Sequence, residues 1–184
     1  MLKKAIRYFT GDDETAKIAR RYLVMNSFDG ALTILGVVVG TYFAEGTAHA
    51  TVVLSAGFGT SLAMGVSGFV GAYLTERSER TRASAYDEGA QAIDVHEEAL
   101  FLAFVDGVSP AAITFVAVIP FILTLRRVIS SETAFISSMF IIMGELFGLG
   151  VLLGRISGKN MILHGLITVL AGVGTFLIVS MLPF

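Results

Sequence analysis

Asp29, Asp106 and Glu145 are carboxylates embedded in long apolar runs. An aspartate at the centre of a membrane helix costs about 2.5 to 3.5 kcal/mol on insertion scales, and such residues turn toward a cavity or a partner rather than toward lipid. The chemistry open to them is cation coordination or proton exchange. Asp29 stands about seven residues into its apolar run, near 10 Å at 1.5 Å per residue, and Asp106 lies at a similar depth in another. Glu145, between Gly144 and Gly148, is near the middle of a third run with no basic residue in the same layer. It must be protonated, paired or wet, and a carboxylate so placed can exchange a proton for a metal ion.

Other ligand types surround these three. Met64, Gly68, Gly71 and Thr75 recur at three or four residues and end on Glu79, a spacing that puts them on one line of a helix. The Met64 thioether is a soft ligand that suits ferrous and similar ions better than calcium or magnesium, although methionine is equally a filler of cores. Residues 76–97 and the adjoining Glu98 hold Glu76, Glu79, Asp87, Glu88, Asp94, Glu97, Glu98 and His96. Oxygen ligands suit Mn²⁺ and Mg²⁺, and an added imidazole favours Fe²⁺ or Zn²⁺. A short connector between spans is also polar for solvation alone, and Arg77, Arg80 and Arg82 share the stretch. His164 is a further, isolated imidazole.

The elements that must position these groups follow from composition. Of 184 residues, 54% are hydrophobic and 15% charged, against about 25% charged in a soluble domain. Lipid is the solvent this implies. A net charge of -2 offers no basic stripe for nucleic acid. The absence of cysteine excludes disulfides, thiolate metal sites and cysteine nucleophiles, leaving oxygen, imidazole or thioether to hold a metal.

A span needs about 20 mainly apolar residues, and five stretches qualify: 22–44, 51–75, 98–125, 134–154 and 162–182. The expected fold is an all-α integral membrane protein of five transmembrane helices over 22–184, with an acidic connector at 76–97. Residues 1–21 carry six basic side chains and no secretory pattern. They read as an amphipathic lead-in with Ile6, Phe9 and Ile18 on its apolar side. Eleven Lys and Arg lie on the side of the N-terminus, and only Arg126 and Arg127 on the other. The positive-inside rule then puts the N-terminus in the cytoplasm and Phe184 outside. With no targeting signal, the expected location is a prokaryotic plasma membrane.

Two pairs of segments resemble each other. Asp29-Gly30 is followed by Met64, Gly65, Gly71, Leu74 and Ser78, and Asp106-Gly107 by Met143, Gly144, Gly150, Leu153 and Ser157, the five later positions keeping identical spacing. This predicts a parallel internal repeat of segments 1–2 and 3–4, with the fifth outside it. In the first segment Asp29, Thr33, Gly36 and Gly40 share a face, and Gly36 to Gly40 is a small-xxx-small pattern. That face can pack on another helix of the chain or pair with a second copy. In the third, Pro110 in Asp106-Gly107-Val108-Ser109-Pro110 predicts a kink or break that frees carbonyls beside the carboxylate, and Pro120 a bend further on.

The run Met25-Asn-Ser-Phe-Asp29-Gly30-Ala-Leu-Thr and the Gly-rich segment ending Gly71-Ala-Tyr-Leu-Thr-Glu-Arg-Ser-Glu79 resemble the vacuolar iron transporter family, most clearly over residues 20–80. The resemblance implies a homodimer whose first helices meet at the pathway, exporting Fe²⁺ and often Mn²⁺ from the cytoplasm in exchange for protons. It carries a pathway aspartate onto Asp29 and a pathway methionine onto Met64. Gapless matching of the Tyr-Leu-Thr-Glu-Arg-Ser-Glu stretch instead puts that methionine at Gly68, one turn away. The plant members' longer Glu-rich cytoplasmic domain is reduced here to about twenty residues.

The expected function is therefore a proton-coupled divalent metal transporter without a resident cofactor. Glu76, Glu79, Glu97 and Glu98 would capture the ion, and Asp29, Met64, Asp106 and Glu145 would line its route. Its partners would be the metal ion, protons, the bilayer and a second copy through the first helix. The competing expectations are a metal-responsive membrane sensor without flux and an intramembrane acid/base enzyme. Asp29 follows Ser27-Phe28 and Asp106 follows Phe104-Val105, so neither has the Gly-x-Gly-Asp context of an intramembrane aspartyl protease.

Overall fold

A computed structural model describes residues 11, 13–46, 50–84 and 92–183. It contains five α-helices: α1 (Glu14–Glu45), α2 (Ala50–Ser84), α3 (Ala92–Leu125), α4 (Ser131–Ile156) and α5 (Met161–Ser180). Each is long and apolar enough to cross a bilayer.

Local signals account for the ends. Asp13 caps α1 by accepting from the Ala16 amide at 2.8 Å. Ser130 and Asn160 do the same for α4 and α5 through the amides of Thr133 and Leu163. These caps satisfy donors that have no partner within the first turn. Gly46 ends α1 at φ 64°, where a side chain would be strained. The α3–α4 turn places Arg127 at φ 56°, and Gly158 takes the corresponding left-handed position after α4.

The helices are longer than the apolar runs. Residues 14–21 of the basic lead-in form the first turns of α1, while Ile6 and Phe9 lie outside the described residues. Residues 76–84 continue α2 and residues 92–97 begin α3, so most of the acidic connector is helix. Asp87 and Glu88 lie outside the described residues, as does the side chain of Asp94. Straight-chain Glu and Arg lose little rotamer freedom in a helix, which lets α2 and α3 rise out of the apolar layer without unwinding. α3 likewise runs through Pro110 and Pro120 without a break. Pro110 withholds an amide from the turn below it, and the Ser109 hydroxyl donates to the Val105 carbonyl in that turn.

The core is an apolar seam at the far end from the α1 N-terminus. Ile34, Leu35, Val38 and Val39 of α1 pack with Val53 of α2, Val118 and Phe121 of α3, and Phe135, Ile142 and Leu146 of α4. Phe121 and Phe135 meet edge to face at 4.9 Å between centroids. The outer surface is as apolar as the core: Leu62, Phe140, Leu170 and Ile178 are each about two-thirds exposed or more. That inversion suits a hydrocarbon solvent.

Nearer the α1 N-terminus the backbones come closer than side chains would allow. A Cβ on Gly30 would lie 2.8 Å from Pro110 Cα, and one on Gly107 would lie 2.5 Å from the Gly65 carbonyl oxygen. Small residues at such crossings are how membrane helices gain packing without a hydrophobic drive between them. Gly30→Ala should destabilise by about 1–3 kcal/mol, the range for overpacking against backbone that cannot retreat. Gly71→Ala, where the added methyl meets nothing within 4 Å, should leave the melting temperature in detergent unchanged or raised.

Candidate functional site

The α1–α2–α3 crossing gathers polar groups at two levels. At the end where α1 begins, Arg80 of α2 is the hub. Its guanidinium contacts Glu98 of α3 through Nη1, lies 3.4 Å from Glu76 through Nε, and donates to Thr15 of α1 through Nη2 at 3.2 Å. The Thr15 hydroxyl donates to Glu98 at 3.0 Å. Glu76 is only 4% exposed and also accepts from the Tyr22 hydroxyl of α1 at 2.8 Å. Every helix of the crossing is thus tied to the other two.

About eight residues deeper, near 12 Å along α3, stands Asp106. Its Oδ1 accepts from Asn26 Nδ2 of α1 at 2.6 Å, and Asn26 Nδ2 also donates to the Tyr22 carbonyl at 3.0 Å. Facing it on α2 is Gly68: a Cβ there would sit 2.5 Å from Asp106 Oδ2. The carboxylate of α3 therefore occupies the space that a side chain at position 68 would take. Met64 lies one turn along α2, half-buried.

Asp29 is elsewhere. It is exposed and lines a groove between α1, α4 and α5 with Lys17, Arg20, Arg21 and Met25. Asn26, one turn before it on α1, is the residue that reaches Asp106, while Asp29 itself is exposed at the groove, so the two aspartates share a layer but not a site. Glu145 stands in α4 with both carboxyl oxygens buried and no hydrogen-bond partner among the described residues. Glu79 and Glu97 are on exposed surface at the outer level. His96 shares a 3.1 Å hydrogen bond with the Tyr73 hydroxyl, and His164 contacts the Asn160 carbonyl at 2.9 Å.

Of the residues expected to act together, the structure brings Glu76 and Glu98 to one cation, Arg80, and sets Asp106 below them. Asp29 lies in a different groove, and Glu145 stands on α4 outside this crossing. Among the described residues no three His, Asp or Glu converge on one point that could hold a metal ion. Thr15, Tyr22, Asn26 and Arg80 join the site through the fold, beyond the residues that the sequence marks as ligands. Glu76 and Arg80 at i, i+4 form a recognisable helix pair, and Asn26 is a polar residue within an apolar run. Nothing in the spacing of Thr15 or Tyr22 marks them.

Five long apolar helices, an apolar exterior and intramembrane polar groups turned onto neighbouring helices are the marks of a multi-pass helical membrane protein. The chain is 31% identical over 180 residues to Uncharacterized protein MJ0645 of Methanocaldococcus jannaschii, covering 90% of this chain and 86% of that one. It belongs to the same family as that archaeal protein. No family model matches the sequence, and no solved structure matches it.

Removing Arg80 takes from the buried Glu76 the cation that pairs with it, a change that costs 3–5 kcal/mol at a fully buried pair. This pair sits near the outer end of the helices, so Arg80→Ala should destabilise by about 2 kcal/mol. Arg80→Ala combined with Glu76→Gln should recover part of that loss, and exposed Arg82→Ala should stay within about 0.5 kcal/mol of wild type. Thermal unfolding in detergent measures all three.

Proposed function

We propose that the protein is a proton-coupled transporter of divalent metal ions, Fe²⁺ or Mn²⁺, carrying them out of the cytoplasm as a homodimer. The observation that carries this reading is the placement of Asp106. A carboxylate stands in the helix crossing, oriented by Asn26 and given room by Gly68, with Glu76 and Glu98 one level above it toward the end of the chain richest in Lys and Arg. Intramembrane carboxylates arranged in series mark ion and proton pathways.

The positive-inside rule puts that end in the cytoplasm, so the ion meets Glu76 and Glu98 first, with Glu79 and Glu97 on the surface around them. Asp106 receives it at the crossing. Metal ions are then held by oxygen ligands in this half, with Met64 one turn away as the soft neighbour. Glu145, whose oxygens have no hydrogen-bond partner among the described residues, serves the proton side of the exchange.

A second copy belongs on the outer face of α1. Asp29 is exposed there, and Gly36 on the same face has open space around its Cβ position. An aspartate at that depth is costly against lipid, and a small-xxx-small face admits a partner helix. The Asp-Gly pairs also behave alike: Gly30 lets α1 approach Pro110, and Gly107 lets α3 approach Gly65. The neighbours differ, α3 for Gly30 and α2 for Gly107, so the support for a parallel repeat of α1–α2 and α3–α4 is the shared sequence spacing.

Reconstituted into proteoliposomes under an imposed pH gradient, the protein should move Fe²⁺ or Mn²⁺ across the bilayer. Asp106→Asn and Asp29→Ala should each reduce flux by about tenfold or more, the scale of losing a metal-site residue. Gly68→Met, which drives a side chain into the Asp106 carboxylate, should also impair it. Metal binding without flux identifies a sensor instead. Failure of both ions to cross, with Asp29→Ala and Asp106→Asn indistinguishable from wild type, rejects the transport reading.

A further inference from the structure

The groove that Asp29 borders has a character of its own. Its volume is ≈ 460 Å³, and it opens between α1, α4 and α5 at the end where α1 begins. Lys17, Arg20 and Arg21 stand at its mouth, and Val24, Phe28, Leu149, Leu153 and Ile156 form its floor. At 100° per residue, Asp29 lies about 100° round α1 from Phe28 and about 80° from Arg21, which makes it the outer edge of the groove. Three cations at a mouth repel a divalent cation, so this is no entrance for the metal ion.

We infer that this groove binds one anionic phospholipid, its phosphate between Lys17 and Arg21 and an acyl chain along the α1–α4 floor. Basic pockets between membrane helices at the interface are built for anionic headgroups. Lys17 and Arg21 are exposed, and Arg21 is braced over the Tyr22 ring at 5.8 Å. Arg20 donates to the Gly11 carbonyl at 2.8 Å, which leaves the other two as the principal phosphate contacts. Glu14, one turn before Lys17, is exposed but does not line the groove. From Lys17 to Phe28 α1 rises about 16 Å, close to the roughly 15 Å that one leaflet contributes to a 30 Å hydrocarbon core. A charged mouth over an apolar floor of that depth matches a lipid and matches neither free phosphate nor a soluble anion.

The full-length protein, purified and delipidated in detergent, can be titrated with phosphatidylglycerol, phosphatidylcholine and inorganic phosphate while bound lipid is counted by native mass spectrometry. Phosphatidylglycerol should bind at one site per chain, with phosphatidylcholine and phosphate far weaker. The Lys17→Gln/Arg21→Gln double variant should bind phosphatidylglycerol about tenfold to thirtyfold more weakly. Arg126→Gln/Arg127→Gln, which removes the same charge at the opposite end, should bind it as wild type does. Equal binding of the two lipids, equal losses in both double variants, or competition by inorganic phosphate at similar concentration overturns the inference. So does a second copy seated in the groove. Because the chain has no cysteine, Phe28→Cys is a single reporter, and complete protomer-to-protomer cross-linking through it, unaffected by phosphatidylglycerol, shows that occupant.

Discussion

The hydrogen bond from Asn26 to Asp106 ties α1 to α3 at the crossing on which the other contacts of the candidate site depend. An ionisable group at that depth is costly against lipid, and a partner on another helix offsets the cost. Supplying one from α1 requires α1 and α3 to lie side by side, and Gly30 against Pro110 makes that approach feasible. Placing the second carboxyl oxygen requires α2 to carry no side chain where Gly68 stands. Gly107 against Gly65 closes the third side. Each small residue in the crossing is there because the others are.

Arg80 plays the equivalent part at the outer level, with a different consequence. Glu76 and Glu98 are not an open cage awaiting a metal: a guanidinium already lies between them. In the proposed transporter a divalent cation arriving there would compete with Arg80 for the same oxygens, which Thr15 and Tyr22 hold in place. The arginines of this stretch could be taken as evidence of mere solvation. One of them instead draws two acids that would otherwise repel one another into a compact cluster, and offsets half of their charge.

The helices were legible because apolar length is a strong signal and lipid leaves the backbone few alternatives. Their ends were less so. Residues 76–84 and 92–97 look like a polar connector by composition, yet they continue α2 and α3, since charge does not by itself stop a helix. Pro110 reads as a kink or a break, and α3 runs through it without a break. The candidate site was legible as chemistry and not as geometry. Asp29 and Asp106 look like equivalent partners because each opens an Asp-Gly pair in one layer. Which face each occupies depends on neighbours far away in sequence: Asn26 turns Asp106 inward, whereas Asp29 is left on the outside of α1. The unfilled place at Gly68 is likewise invisible without the carboxylate of α3 beside it.

The two sides of α1 are therefore electrostatically opposite. Toward α2 and α3 it meets Glu76, Glu98 and Asp106. Toward α4 and α5 it presents Lys17, Arg20 and Arg21 at the head of an apolar groove. Asp29 lies between these regimes, at the edge of the basic groove and on a face with no covering helix among the described residues of the chain. The described residues of a single protomer offer it neither the hydrogen bond that Asp106 has nor the burial that Glu145 has. If the aspartate is to remain at that depth, something must cover it, and a partner helix seated on Gly36 would bring a second Asp29 into the same layer. Two carboxylates facing each other across a seam repel unless a proton or a cation lies between them. In the proposed transporter the dimer and the bound cation would then be one requirement, since the pairing that covers this side chain also creates the repulsion that a cation relieves.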